Sequence, residues 1–184
     1  MILITPPGVE PVTLQECKAE LRHNVPDDDD LLNGLLAAAR ARLDGYEGIL
    51  CRCLITQTWS MQIDRWDENI RLPFPDVSGV VVKYLDVNGV EQTVESTLHR
   101  LAPGSQGDWV WFTPDFTFPD VSDSDPAPIT IEITAGFGSD AADVPAPLRQ
   151  AIIMLVAHFF DAPAGQKLPV SVSAIIAPYR RIGI

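Results

Sequence analysis

The chain changes its hydrophobic period twice, and this constrains its fold more than any single motif. From Leu31, apolar residues recur at i+4 through Leu35, Ala39 and Leu43, with Leu32, Leu36 and Tyr46 beside them. That stripe predicts an amphipathic helix running to about Gly48, in spite of Gly34. Further on, Trp59, Met61 and Ile63 alternate with Thr58, Ser60, Gln62 and Asp64, the period-two pattern of a half-buried strand. The helical period then returns, with Leu148, Ala151, Ile152, Leu155 and Phe159 on one face. A run of strands bracketed by helices predicts an α+β fold. It reads as a small bundle of about four helices built from residues 1–50 and 144–184, with an antiparallel β region inserted over 51–143.

Local signals fill in this frame. Thr13-Leu14-Gln15-Glu16 is a capping box, and Val12 and Cys17 sit at the two positions of a hydrophobic staple. Together they predict a short helix from Leu14 to about Arg22. Asn24-Val25-Pro26 breaks the chain, and Asp27 to Asp30 then lie where a helix macrodipole stabilises negative charge. Val80 to Val87, Asn88-Gly89, and Val90 to Val94 read as a β-hairpin with a type I′ turn. Leu98–Leu101, Asp108–Phe112 and Ile129–Thr134 are further short strands. All four Trp (59, 66, 109, 111) fall in this region, which should therefore have a small core of its own. Residues 113–128, rich in Asp, Pro, Ser and Phe, read as a long acidic loop.

The helix begun by Pro145 and Pro147 carries Ile153, Met154, Val156 and Phe160 around its other faces. A helix apolar on nearly all sides must be buried on nearly all sides. It is either the central helix of the fold or is covered in part by a neighbouring subunit, and the sequence leaves both open. A last small segment, Val170 to Ala177, leads to Pro178-Tyr179-Arg180-Arg181.

Charge excludes whole classes of function. The 184 residues hold 13 Lys and Arg against 25 Asp and Glu, a net of −12. A binder of nucleic acid backbone or anionic membrane needs a basic face, so neither is expected. The nets are −5 for residues 1–50, −9 for 51–142 and +2 for 143–184, so only the C-terminal segment is cationic. No run of 18 apolar residues suggests a transmembrane helix, and Met1 to Pro7 lacks the basic region of a signal peptide. The chain is thus expected to be made in the cytoplasm, with Cys17, Cys51 and Cys53 reduced.

No motif points to catalysis or to a cofactor. Asp27–Asp30 lacks the spaced acids and glycine of a calcium loop. Cys51-Arg52-Cys53 has one residue between thiols where zinc knuckles need two to four; an extended strand would point both thiols to one face, within reach of a strained disulfide. Gly136-Phe137-Gly138 is a fragment of a nucleotide loop with Ala at position 141. Gly104-Ser105 lacks the pattern of a nucleophile elbow. His158 reads as a packed helix residue without a partnered nucleophile. Trp109, Trp111 and Phe112 are interleaved with Asp108 and Asp115, the wrong sign for a single-strand nucleic-acid platform. No catalytic, metal-ligating or cofactor-binding residue is assigned.

Several segments, in order along nearly the whole chain, carry a family resemblance. They are Pro11-Val12-Thr13-Leu14-Gln15-Glu16-Cys17-Lys18, Asp28-Asp29-Asp30-Leu31-Leu32, Leu54-Ile55-Thr56-Gln57-Thr58-Trp59, Ile133-Thr134-Ala135-Gly136-Phe137-Gly138, Val144-Pro145-Ala146-Pro147-Leu148-Arg149-Gln150-Ala151-Ile152, Leu155-Val156-Ala157-His158-Phe159-Phe160 and Ala177-Pro178-Tyr179-Arg180-Arg181. The set resembles the head–tail connector (adaptor, head-completion) proteins of long-tailed bacteriophages and gene transfer agents. Cys51-Arg52-Cys53 and the acidic 113–128 loop depart from that pattern.

The resemblance implies a non-enzymatic virion protein at the head–tail interface, in a ring of about a dozen copies. Such a ring docks below the portal, extends the DNA channel and offers a surface to stopper or tail-completion proteins. Double-stranded DNA passes through it without specific binding. Tyr179, Arg180, Arg181 and Ile182 are the implied portal contacts, and Leu148, Ile152, Leu155, Phe159 and Phe160 the core or subunit contacts. The competing expectations are a stopper or tail-completion protein of the same channel, and an enzyme or small-molecule binder with a pocket near His158 or His99.

Overall fold

Residues 1–23, 25–104, 107–161 and 167–181 are described by the computed structural model. They divide into two units: Met1–Pro6 with Thr56–Gly136, and Pro7–Ile55 with Phe137–Ile184. The fold is α+β, with four α-helices and two antiparallel sheets among the described residues.

In the helical unit, α1 (Leu14–Leu21) begins with the capping box its sequence announces: the Glu16 N–H donates to Thr13 Oγ1 at 3.2 Å, and the Thr13 N–H donates to Glu16 Oε2 at 2.9 Å. Val12 and Cys17 are both buried. The helix stops where Arg22 turns left-handed (φ 53°), and the N–H groups of Arg22 and His23 close back on the Ala19 and Lys18 carbonyls. A 3-10 turn, Pro26–Asp28, leads into α2 (Asp29–Leu43).

Two expectations for α2 are corrected. Its buried stripe is Leu32, Leu36, Ala39 and Leu43, while Leu31 is 52% exposed. Successive i+4 steps drift by about 40° each, so 31-35-39-43 slides off one face, whereas 32-36-39-43 stays on it. The helix also ends at Leu43, short of Gly48. Gly45 turns at φ 78°, and the Ile49 and Leu50 N–H groups bond back to the Arg42 and Leu43 carbonyls. Gly48 permits this close return, since a Cβ there would lie 2.3 Å from the Asp44 carbonyl oxygen.

A 3-10 turn at Ala141–Asp143, closed by its own Asp140–Asp143 box, precedes α3 (Ala146–Asp161). Helix α4 (Val170–Ile176) follows, then a 3-10 turn at Ala177–Tyr179. One apolar cluster joins Leu32, Leu36, Leu43, Leu50 and Leu54 to Leu148, Ile152, Leu155, Val172 and Ile176. Each fully buried Leu or Ile contributes roughly 1.5–3 kcal/mol over its exposed state.

The β unit holds β1 (Ile2–Thr5), β2 (Gln57–Ile63), β3 (Asn69–Arg71), β4 (Val77–Leu85), β5 (Glu91–Thr93), β6 (His99–Ala102), β7 (Trp109–Phe112) and β8 (Ile129–Ala135). The larger sheet has the order β1-β2-β8-β4-β5 and the smaller β3-β7-β6. Central β8 buries Ile129, Ile131, Ile133 and Ala135 in strict alternation. Strands β1 and β3 were not anticipated. Residues 2–5 are all exposed on a sheet edge, so their apolar run carries no alternation signal.

The β4–β5 hairpin forms, but its turn is not type I′. Gly89 has φ 76° while Asn88 is not left-handed, and the Gly89 N–H donates to the Asp86 carbonyl at 2.8 Å. This is a type I turn closed by a glycine bulge. Asp86 organises it: Oδ1 accepts from the Asn88 and Val90 N–H groups and Oδ2 from Gln92. The bond from the Val90 N–H, then that from Gln92, hold the Asp86 carboxyl below its ordinary range.

The segment 113–128 is only in part the solvated loop expected. Phe116 stacks on Phe112 at 4.7 Å, Phe118 packs against both, and Trp66 Nε1 donates to the Pro119 carbonyl at 2.9 Å. Phe116 and Phe118 extend an aromatic cluster with Trp66 and Phe112, Phe118 at its exposed rim, while Asp115, Asp120 and Asp123 stay exposed. The cysteine pair is also not on an extended strand: Cys51 is left-handed (φ 49°) and partly exposed, and Cys53 is fully buried.

Candidate functional site

The helical unit ties its N-terminal segment to α3 through one carboxylate. Glu16 accepts from the Thr13 N–H and hydroxyl and from Arg149 Nη2, while Arg149 Nε donates to the Pro11 carbonyl at 3.0 Å. The bond from the Thr13 backbone is the main reason the Glu16 carboxyl sits below its ordinary value; burial opposes it, and the Thr13 hydroxyl and Arg149 add to it. The aspartates before α2 are not only helix-start charges. Lys18 pairs with Asp29, and His23 Nε2 lies 2.7 Å from Asp28 Oδ2. Asp27 and Asp30 are exposed. Among the described residues, no group of three or more His, Cys, Asp or Glu is arranged to hold a metal ion.

The assembly residues marked in the sequence fall into distinct environments. Leu148, Ile152 and Leu155 are fully buried in the helical core, Phe159 packs against that core, and Phe160 is 41% exposed. Phe160 meets His23 edge-on at 5.3 Å beside an open groove of about 200 Å³ lined by Leu21, Leu32 and Ala157.

At the C-terminal end, Tyr179 is half-buried against the core and Arg180 is exposed. The Arg181 N–H donates to the Leu50 carbonyl at 3.0 Å. Ile182 lies outside the described residues. Ile176 is fully buried and Ile175 packs on the core, so this segment is held by its own unit up to Arg181. Ile175 and Ile176 thus need no second chain to cover them.

The β unit corrects the sign assigned to its tryptophans. Asp108 is engaged in accepting the Val77 N–H at 3.0 Å. The charges beside the indoles come from neighbouring strands: the Arg100 guanidinium carbon lies 4.1 Å from the Trp111 ring centre, and that of Arg71 lies 5.8 Å from Trp109. Sequence order hid this, because the two Arg–Trp pairs are 11 and 38 residues apart. A second open groove, about 300 Å³, runs along Glu68, Trp111, Pro114 and Phe118. A third, of similar volume, lies beside Glu16, Glu20, Arg149 and Gln150. Neither His99 nor His158 lines any of these three. No described helix is long and apolar enough to cross a membrane.

No protein-family model matches the chain, and no curated protein matches it. Solved structures do. A chain of "Virion of native gene transfer agent (GTA) particle" is similar at a TM-score of 0.77 and 25% identity, with 100% of this chain and 97% of that chain covered. A chain of "Neck of empty GTA particle computed with C6 symmetry" matches at 0.77 and 24%, with the same coverage. A chain of "Neck of native GTA particle computed with C12 symmetry" matches at 0.69 and 24%, again over 100% and 97%. The chain thus has, over its full length, the fold of structural chains of gene transfer agent particles.

Proposed function

We propose that this chain is a structural protein of the head–tail junction of a phage-like particle: an adaptor that forms a ring below the portal, extends the DNA channel and presents a surface to stopper or tail proteins. The observation that carries this reading is the full-length likeness to a gene transfer agent virion chain at 25% identity. The sixfold and twelvefold symmetry with which the similar necks were computed supports a ring over a single copy. A closed ring needs two different faces per subunit, one meeting the other on the next copy.

Charge supplies the mechanism. Twelve copies at −12 each carry on the order of −140 charges around the channel. Acids facing the lumen repel DNA phosphates, so the duplex slides without being gripped. On this reading the C-terminal end, with exposed Arg180 beside Tyr179, meets the portal; Arg and Tyr are typical interface anchors.

The test is electron microscopy of particles lacking this chain, followed by addition of the purified protein. An adaptor's loss leaves DNA-filled heads with a bare portal, and the added protein restores the next layer. Heads that keep a ring-shaped layer below the portal without this chain would assign it to the stopper or tail-completion position, and unaltered particles would overturn the reading. Within the adaptor reading, Arg180→Glu should keep the fold and lower joining to such heads; undiminished joining would remove the C-terminal end as the portal contact.

A further inference from the structure

The β unit is strongly acidic, yet two of its four bases stand together. Met1–Pro6 and Thr56–Gly136 carry 13 acids and 4 bases. Of those bases, Lys83 is bonded to Glu132 at 2.7 Å. Arg71 and Arg100 share one face of the small sheet. Residues directly opposite in an antiparallel sheet point to the same side. The register therefore aligns Asn69, Trp111 and Arg100 in one row and Arg71, Trp109 and Ala102 in the next. Val110 and Phe112, which alternate with the tryptophans, are buried on the other side.

That other side is covered by the acidic segment. Phe112 carries Phe116 and Phe118, which bring the chain of Asp115, Asp120 and Asp123 with them. The three-stranded layer thus has an Arg–Trp row on one side, while the segment packed on Phe112 carries the exposed Asp115, Asp120 and Asp123. Among the described residues no acid of 113–128 pairs with Arg100 within one copy, whereas the acids of a neighbouring copy can reach it.

The chemistry of the Arg–Trp side says what it takes. Arg100, lying on the Trp111 indole, holds its edge N–H donors in a plane, the fork that matches a carboxylate. With Arg100 lying 4.1 Å from the Trp111 ring centre, one face of that ring is already taken by a cation and closed to stacking by a nucleic-acid base. Among the described residues, Arg100 has no carboxylate in ion-pair range.

We propose that the Arg71–Arg100–Trp109–Trp111 face docks the acidic 113–128 segment of the next copy of this chain, forming the head-to-tail contact between subunits. This rests on the ring reading above, and it names the two faces such a ring requires.

A charge-swap experiment tests it. Full-length chain is added to heads that lack it, and retained copies per head are counted by electron microscopy. Arg100→Glu, and separately Asp120→Lys with Asp123→Lys, should each cut retention about tenfold or more, as for truncated interface anchors. The chain carrying all three changes restores opposite charge across every contact and should regain ring occupancy. Because Arg100 and both aspartates are exposed, circular dichroism should match the parent throughout. Arg100→Gln, which adds no repulsion, should give a smaller loss in the same direction.

Full rings from Arg100→Glu would overturn the proposal and leave the ring reading standing. A loss that the triple change does not rescue would assign the face to another acidic partner, overturning it as well. A parent chain that forms no ring on any head would remove both readings.

Discussion

Replacing Glu16 by Gln keeps the shape of a side chain that joins the N-cap of α1 to α3, and removes its charge. The carboxylate accepts from the Thr13 N–H and hydroxyl, each at 2.9 Å, and from Arg149. A hydrogen bond to a charged group is worth about 1.5–3 kcal/mol when shielded. Here the Glu16 and Arg149 side chains are 41% and 28% exposed, which brings the ion pair down to about 1 kcal/mol or less. The glutamate half of a capping box adds about 0.5–1 kcal/mol. The expected loss at neutral pH is therefore about 1–2 kcal/mol, or roughly 2–8 °C in melting temperature for a chain of this size.

The pH profile gives the sign. The folded Glu16 carboxyl titrates below its ordinary 4.5, so its contribution is complete above that value and is lost as pH falls through the folded pKa. Thermal melts followed by circular dichroism at 222 nm should show a constant gap between parent and variant from neutral pH down to mildly acidic conditions, closing only as pH falls below the ordinary value of 4.5. Combined with Arg149→Met, the two losses should be non-additive by roughly 0.5–1 kcal/mol. A neutral variant at pH 7, or a gap that widens with acid, would refute the account of Glu16 as the joint between these helices.

Two further outcomes test the packing. Gly48→Ala forces a Cβ to within 2.3 Å of the Asp44 carbonyl oxygen, and should destabilise the helical unit by about 1–3 kcal/mol in urea unfolding; a cost under about 0.5 kcal/mol would remove the close return after α2. Thiol titration should find one rapidly reacting cysteine in the native chain, the partly exposed Cys51, and three after unfolding. Burial raises the Cys17 pKa and Cys53 is fully covered, so two fast native thiols would contradict the packing around them.

The legible parts of this protein are those whose signals are local. The Thr13–Glu16 box, the alternation of β8 and the apolar continuity of α3 each follow from residues a few positions apart, and each forms as its spacing dictates. The α+β class was readable for the same reason, since period is a property of short windows. The failures are equally physical. The edge strand β1 shows no alternation because both its faces are exposed, and its pairing with β2 depends on residues more than 50 positions away. The hairpin glycine was identified, but Asp86 bonding to Asn88 and Val90 selected a type I turn over the I′ turn that Asn-Gly alone suggests.

The proposed assembly surface is least legible. Composition determined that the chain is acidic, that its β region carries most of that charge, and that no basic run grips nucleic acid. Only the tertiary structure decided that Arg71 and Arg100, 29 positions apart and each isolated among acids in sequence, lie over Trp109 and Trp111 on one side of a sheet. The fold likewise packs Phe116 and Phe118 of 113–128 against Phe112, while Asp115, Asp120 and Asp123 stay exposed. Net charge is a sum over the chain and survives any fold, whereas a charged face is a coincidence of strand register, which long-range pairing alone sets.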